Sequence, residues 1–129
     1  RDRLDNVSIK LGAQDDPGLP DASFDRVFMI HMYHEIAQPY AFLWHLRPAL
    51  KADGEVIIVD ADRPTANHGT PPSLLFCELK AVGYRLTGYE ERPDIGAYIA
   101  RFAPQGDRPE PSAITPCAAP EPAPEPAKR

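Results

Sequence analysis

The sequence predicts an α/β fold in which a mostly parallel sheet is covered by helices on both faces. Two short apolar runs, at 26–30 and 56–59, have the length of buried strands and are too short for helices. Segments with apolar residues at helical spacing follow each run, at 39–50 and 73–82. Apolar strands that alternate with helices in this way are typical of parallel sheets with both faces buried.

The first half of the chain supplies two predicted strands and one helix. Residues 6–11 alternate polar and apolar side chains with a period of two, and the mostly apolar residues 26–30 form the next strand. Pro39 suits the first turn of the helix, which ends at Gly54. Pro48 conflicts with this helical pattern, and we expect it to bend or shorten the last turn.

The second half supplies a strand, a helix and a hairpin. Residues 56–59 are four apolar residues in a row, and 70–72 have the composition of a cap followed by a helix start. The helix is predicted over 73–82. Residues 84–92 and 96–102 are two strands joined by a short Pro-Asp turn. This short connection predicts an antiparallel hairpin at the edge of the sheet.

Composition and charge exclude several classes of protein. The net charge is -5 and the pI about 5.3, whereas non-specific nucleic-acid binding requires a positive surface. No apolar run is long enough to span a bilayer, and no secretory signal opens the sequence. Cys77 and Cys117 lie far apart without metal-binding spacing, which favours a reducing, cytoplasmic location; Cys77 is expected to be a small core residue.

The composition changes near Pro104, because eight of the 16 prolines fall between Pro104 and Pro126. Their segment has no hydrophobic period and too little apolar surface to offset the entropy of ordering. We therefore predict a folded domain over 1–104 and a disordered, Pro-rich tail over 105–129. The tail is interpreted as solubilising, with a Pro-rich docking ligand as the alternative.

Polar residues follow three of the predicted strands, at 12–16, 31–35 and 60–63. In open α/β sheets, ligands bind at the carboxyl ends of the strands. The sequence therefore predicts a ligand site where these three segments meet. The histidines within 31–35 match no metal-binding spacing, and we predict no metal site.

Three segments of the chain resemble one family in their order and spacing. They read LPDASFDRVFMIHMYHEI, then LRPALKADGEVIIVDADRP, then HGTPPSLLFCELKAVGYRLTGYEE. Over roughly residues 3 to 103, they resemble the C-terminal half of a class I S-adenosylmethionine-dependent methyltransferase. The resemblance implies a partial Rossmann-like fold containing strands three to seven, with S-adenosylmethionine as the cofactor.

The Gly-rich cofactor loop of that family has no counterpart in this sequence, which contains no GxGxG motif. The resemblance therefore implies an N-terminally truncated methyltransferase domain that is inactive alone. It also implies that the third strand, at 7–11, lacks its usual neighbours. We expect this strand to be loose or to pair directly with the strand at 26–30.

In the resemblance, the loop after the third strand binds the adenine of the cofactor, which implicates Gly12, Ala13, Asp15 and Asp16. An acidic side chain usually holds the exocyclic amine. Counting back from the Ser-Phe-Asp motif places Ala13 at that position, whereas aligning the Leu-Pro pair places Asp15 there. The alternative for Asp15 and Asp16 is a simple turn, because Asp-Asp-Pro-Gly is favourable turn chemistry.

The resemblance also implies roles for the residues that follow the fourth and fifth strands. Ile30 and His31 would contact the cofactor, while Tyr33 and Asp60 would contact the substrate. Because strand residues alternate faces, one of His31 and Tyr33 could instead point away. The alternative for Asp60 is that it caps its strand end and pairs with a neighbouring arginine.

His34 and Glu35 match a His-acidic pair of small-molecule O-methyltransferases. There the histidine is the general base that removes a proton from a substrate hydroxyl, which suits an imidazole that titrates near neutral pH. The alternative is a structural histidine that starts the next helix or packs against the sheet. We take His34 and Glu35 as the candidate catalytic residues.

The predicted function is transfer of a methyl group from S-adenosylmethionine to a small-molecule acceptor, without nucleic-acid or membrane partners. Two alternatives remain open. One is a fragment of a nicotinamide-dependent oxidoreductase, since doubly wound sheets host both chemistries. The other is a non-catalytic interaction module that acts through its Pro-rich tail.

Overall fold

The structure is a computed structural model that describes residues 15–118. The predicted strand at 7–11 and the candidate residues Gly12 and Ala13 lie outside the described residues. The last part of the Pro-rich segment, 119–129, lies outside them as well.

Four strands and two α-helices form the described fold. They are β1 (Phe24–Ile30), α1 (Pro39–Leu46), β2 (Leu50–Asp60), α2 (Pro72–Ala81), β3 (Tyr84–Arg92) and β4 (Ala97–Pro104). Short 3-10 turns occupy Tyr33–Glu35, Arg47–Ala49, Thr65–Asn67, Pro93–Ile95 and Pro111–Ala113.

The first helix is shorter than the helical pattern predicts, and the second strand is longer. α1 ends at Leu46, where Arg47–Ala49 tightens into a 3-10 turn around Pro48. Proline lacks the N–H that an α-helix needs, so the predicted conflict is resolved by ending the helix. β2 then begins at Leu50 and continues through Gly54, where a Cβ atom would lie 3.0 Å from the Phe24 carbonyl oxygen.

The sheet has the strand order β1-β2-β4-β3. β1 and β2 are parallel, while β4 pairs antiparallel with both β2 and β3. The predicted α/β class and the closing antiparallel hairpin are confirmed. Among the described residues only the β1–β2 pairing is parallel, so the sheet is more mixed than expected.

The core lies between the sheet and the two helices. Met29 of β1 and Ile58 of β2 pack in one cluster with Leu43 of α1 and Leu75 of α2. Side chains alternate along β1, so Phe28 points to the opposite face and is 59% exposed. Within residues 15–118 both helices therefore cover the same face, where the sequence predicts helices on both.

Residues 105–118, here called the strap, run across α1 and α2. The Trp44 indole N–H donates to the Pro109 carbonyl oxygen at 2.7 Å, and the Arg108 guanidinium lies 3.4 Å above the Trp44 ring. Near the far end of the strap, the Cys117 backbone N–H donates to the Tyr40 hydroxyl at 2.6 Å. Ile114 packs against the core cluster. The strap is thus attached to α1 along much of its length.

A disulfide between Cys77 and Cys117 ties the strap to α2. These observations differ from the prediction of a disordered tail that begins at residue 105, because the strap has partners on both helices. They also differ from the prediction of unpaired cysteines and of a buried Cys77, which is exposed on the outer side of α2. Composition alone could not show that the strap is attached or that the cysteines pair, since every partner of the strap is distant in the sequence.

Candidate functional site

The candidate site lies at the carboxyl ends of the parallel strands β1 and β2. His31 follows β1 and donates its backbone N–H to the Val59 carbonyl oxygen at 2.7 Å, which extends the pairing by one residue. Its φ of 53° is uncommon for a residue with a side chain. This left-handed residue turns the chain out of the sheet and into the 3-10 turn that contains His34.

His34 and Asp60 form a buried pair that joins the two strand ends. The His34 Nδ1 atom lies 3.0 Å from Asp60 Oδ1 and 3.2 Å from Oδ2. The His34 side chain is 5% exposed and the Asp60 side chain is fully buried. Asp60 also accepts hydrogen bonds from the Ala61 backbone N–H at 2.9 Å and the Thr70 hydroxyl at 2.8 Å. Both oxygens of the buried carboxyl group are therefore satisfied.

This arrangement assigns different roles to the two ring nitrogens of His34. A carboxylate only accepts hydrogen bonds, so the proton of the neutral ring is placed on Nδ1, facing Asp60. The Nε2 atom lies 3.6 Å from Oε2 of Glu35, whose side chain is 70% exposed. The His68 ring packs edge-on, with its centroid 5.9 Å from that of His34. Nε2 thus faces the exposed side of the pair and carries the lone pair that can accept a proton.

The loop between β2 and α2 closes over Asp60 and holds Thr70 in place. The Thr70 backbone N–H donates to the Ala61 carbonyl oxygen at 2.9 Å, and the Thr70 carbonyl oxygen accepts a hydrogen bond from the Tyr98 hydroxyl at 2.7 Å. A Cβ atom at Gly69 would lie 2.5 Å from the Ala61 carbonyl oxygen, so this approach requires glycine.

The sequence pattern indicates that Thr70 caps α2, but the structure differs. Pro71 occupies the N-cap position of that helix, and the Thr70 side chain hydrogen-bonds to Asp60 instead. No sequence signal identified Thr70 as part of the site, because a Thr-Pro-Pro segment is ordinary helix-start chemistry.

Tyr33 lies in the core, where it lines a small cavity of about 60 Å³ together with His34 and Thr70. It is 3% exposed, and its hydroxyl donates to Oε1 of Glu78 on α2 at 2.8 Å. Burial, reinforced by the Glu78 charge, raises the pKa of Tyr33 well above its usual value. Burial also raises the pKa of Glu78, although the hydrogen bond from Tyr33 opposes this change. Tyr33 therefore stabilises the sheet–helix interface.

The predicted cofactor residues divide into two groups in the structure. Ile30 and His31 lie at the carboxyl end of β1, and the Ile30 side chain is 60% exposed. The Asp15 carbonyl oxygen instead lies 2.8 Å from Nδ1 of His45, in the last turn of α1. Asp16 accepts a hydrogen bond from the Gly18 backbone N–H at 2.8 Å, as in the turn alternative. Among the described residues, no hydrogen bond or ion pair joins these aspartates to the end of β1.

Asp60, predicted to contact substrate, is fully buried and caps the end of its own strand through the Ala61 N–H. The residues that follow it, Ala61 to Arg63, line a cavity of about 300 Å³ together with the β3–β4 hairpin, and neither Asp60 nor His34 lines this cavity. Its lining includes charged and aromatic side chains, among them Asp62, Arg63, Tyr89 and Tyr98. The sequence pattern did not predict the contribution of the hairpin to this cavity.

Two further features concern the described part of the chain. None of its helices is long and apolar enough to cross a membrane. Within residues 15–118, no group of three or more histidine, cysteine, aspartate or glutamate side chains is arranged to hold a metal ion.

Comparisons with known proteins relate this geometry to one family. Residues 1–58 match the family model described as a methyltransferase domain. A SAM-dependent methyltransferase from Aquifex aeolicus has a similar structure, with a TM-score of 0.68 and 21% identity, over 77% of this chain and 55% of that chain. A TehB-like SAM-dependent methyltransferase from Corynebacterium glutamicum gives a TM-score of 0.59 and 19% identity, over 73% of this chain and 54% of that chain.

The trans-methyltransferase CalH, solved in complex with SAH, gives a TM-score of 0.64 and 17% identity, over 80% of this chain and 37% of that chain. No curated protein matches the chain. The chain spans about half the length of the first two of these structures, or less for CalH. The first 58 residues are therefore similar to a methyltransferase domain, and the described fold is shared with S-adenosylmethionine-dependent methyltransferases.

Proposed function

We propose that this chain forms the acceptor-binding portion of a methyltransferase that acts on a hydroxyl group of a small molecule. The observation that carries the proposal is the His34–Asp60 pair at the carboxyl ends of adjacent parallel strands. Ligands of open α/β sheets bind at these ends. An oriented imidazole there is suited to remove a proton from an acceptor.

His34 is the proposed general base of the reaction. Its Nδ1–H is held by Asp60, so Nε2 accepts the proton that leaves the acceptor hydroxyl. Glu35, with Oε2 3.6 Å from Nε2, would stabilise the resulting imidazolium. S-adenosylmethionine, when bound, supplies the methyl group as an electrophile, and the protein contributes orientation and the base.

Ile30 and His31 are the residues proposed to hold the cofactor. Both lie at the exposed carboxyl end of β1, and the apolar Ile30 side chain offers a surface for a flat ring. The adenine-binding role of the segment from Gly12 to Asp16 stays a prediction. Asp15 lies beside the last turn of α1, so this role would require a different position from the one described.

A small-molecule acceptor is favoured by the cavity that the loop after β2 and the β3–β4 hairpin line. About 300 Å³ suits a compact ligand, and the mixed polar and aromatic lining suits one with polar substituents. The net charge of -5 opposes a nucleic-acid acceptor.

We further propose that the Gly-rich cofactor loop is supplied by sequence outside these 129 residues, because none of them forms a GxGxG motif. The 129-residue chain should then bind the cofactor weakly or not at all. The chain spans only 55% and 54% of two of the related structures, which agrees with this proposal.

Calorimetric titration with S-adenosylhomocysteine tests the proposal, on the 129-residue chain and on a version extended upstream in its reading frame. Binding only by the extended version supports both the family function and the missing loop. Tight binding by the 129-residue chain would refute the account of the loop. Absence of binding by both would favour the interaction-module alternative.

Variants of the extended version separate the base from the cofactor site. His34→Ala should leave S-adenosylhomocysteine binding within about twofold, because His34 is assigned to the acceptor. Ile30→Asp should weaken that binding about tenfold or more, since it places a charge on the proposed apolar contact. Arg85→Ala, at an exposed position of β3, is the control and should leave S-adenosylhomocysteine binding unchanged.

A further inference from the structure

We propose that Asp60 and Thr70 are positioning residues that hold His34 as the Nδ1–H tautomer, with its Nε2 lone pair directed outward. The inference rests on the proposed function, because an outward lone pair matters only if His34 is a base. It assigns Asp60 a role that differs from the predicted substrate contact, and it brings Thr70 into the site.

Hydrogen bonds occupy both oxygens of the Asp60 carboxyl group. Its Oδ1 lies 3.0 Å from His34 Nδ1 and accepts from the Ala61 backbone N–H, while Oδ2 accepts from the Thr70 hydroxyl. These donors approach from three segments of the chain. The carboxyl group therefore cannot rotate to release His34 without breaking a hydrogen bond in a site closed to water.

Thr70 is itself anchored and is 2% exposed. Its backbone is held at both ends, by the Ala61 carbonyl oxygen and by the Tyr98 hydroxyl. Tyr98 pairs in register with Asp60 across the β2–β4 ladder. The chain of hydrogen bonds thus begins at Tyr98 of β4, passes through Thr70 and Asp60 at the end of β2, and reaches His34 in the 3-10 turn after β1.

The burial of His34 limits the partners that its Nδ1 atom can find. The side chain is 5% exposed, so bulk water does not compete for this nitrogen. Ring tautomers of histidine are set by the hydrogen bond that one nitrogen makes. If Thr70 no longer donates to Asp60, the carboxyl group gains freedom to turn and its hold on Nδ1–H weakens.

The test is nitrogen NMR of histidine-labelled protein, with His34 assigned from the spectrum of His34→Gln. We expect wild-type His34 to show a protonated Nδ1 and an unprotonated Nε2. In Thr70→Val the Nε2–H tautomer should rise about fivefold relative to Nδ1–H, which corresponds to one hydrogen bond of about 1 kcal/mol. Thr70→Ser keeps the hydroxyl and should restore the wild-type spectrum.

Asp60→Asn gives a stronger form of the same test. An amide can present its NH₂ group to Nδ1, so His34 should shift mainly to the Nε2–H tautomer. His45 is an internal reference, because its Nδ1 lies 2.8 Å from both the Asp15 and Ala41 carbonyl oxygens. Its signals should keep the Nδ1–H pattern in every variant.

A purely structural role for Thr70 would lower the unfolding midpoint of Thr70→Val while the His34 tautomer stayed unchanged. That result would overturn the inference, as would a wild-type His34 protonated on Nε2. The NMR experiment needs neither cofactor nor acceptor. Failure of the titration with S-adenosylhomocysteine, with the tautomer shifts present, would therefore count against the proposed function and not against the positioning roles.

Discussion

The disulfide between the strap and α2 should contribute strongly to stability. Cys77 and Cys117 are separated by 40 residues. Closing a loop of this size removes about 13 cal/mol/K from the entropy of the unfolded chain, or about 4 kcal/mol at 25 °C in the chain-entropy model. Because small domains are stable by only about 5–15 kcal/mol, Cys117→Ser should lose a large part of the free energy of unfolding.

Urea unfolding provides the assay, because Trp44 is the only tryptophan of the chain and lies beneath the strap. With a urea dependence of about 2 kcal/mol/M, the loss of about 4 kcal/mol should lower the unfolding midpoint by about 2 M. Far-UV circular dichroism follows the sheet in parallel. Separate midpoints for the two signals would show that the strap leaves α1 before the sheet unfolds.

Cys77→Ser is the matched control and should have the same midpoint as Cys117→Ser, since either substitution removes the same bond. Reducing the wild-type protein should reproduce both variants. Two freely titratable thiols in the folded, oxidised protein would refute the reasoning. An unchanged urea midpoint in Cys117→Ser would refute it as well.

Three further predictions concern buried polar and backbone features. Burial raises the pKa of Glu78 above its usual 4.5. The contribution of Glu78 to the free energy of unfolding should therefore be fully present below pH 4.5 and be lost as pH rises through the folded pKa. Glu78→Gln keeps an acceptor for Tyr33 but does not titrate. Between pH ~4 and pH ~8, its free energy of unfolding in urea titrations should therefore fall less than that of the wild-type protein. Gly83→Ala should cost about 1–2 kcal/mol by thermal unfolding, because the φ of +86° is strained for any residue with a side chain. Gly69→Ala should shift the Ala61 amide signal in NMR spectra, because its Cβ would meet the Ala61 carbonyl oxygen, and unchanged spectra would contradict this close approach.

The elements whose pattern is local could be predicted from the sequence. The apolar run in β1, the helical spacing in α2 and the hairpin of β3 and β4 all appear where the sequence places them. The end of α1 was uncertain because a proline inside a helical pattern can bend a helix or end it, and the choice depends on packing. Pro48 ends it, which lets β2 begin at Leu50.

The tertiary partners could not be predicted. Trp44 and Pro109 are 65 residues apart, and neither residue type indicates the other as a partner. The pairing of His34 with Asp60 follows from the order of parallel strands, but the third member, Thr70, depends on how the loop after β2 folds back. Tyr33 illustrates the same limit, because the 3-10 turn that contains it directs the side chain toward α2.

The position of β1 has a consequence for the behaviour of the chain in concentrated solution. Within residues 15–118, β1 is hydrogen-bonded to a strand on one side only, and Phe28 and Ile30 are exposed on one of its faces. A strand edge bordered by apolar side chains is a template for intermolecular β-pairing. Charged residues occur only near its beginning, at Asp25 and Arg26. Phe28→Lys should therefore raise the concentration at which light scattering begins to increase, because it removes an apolar side chain from this exposed face.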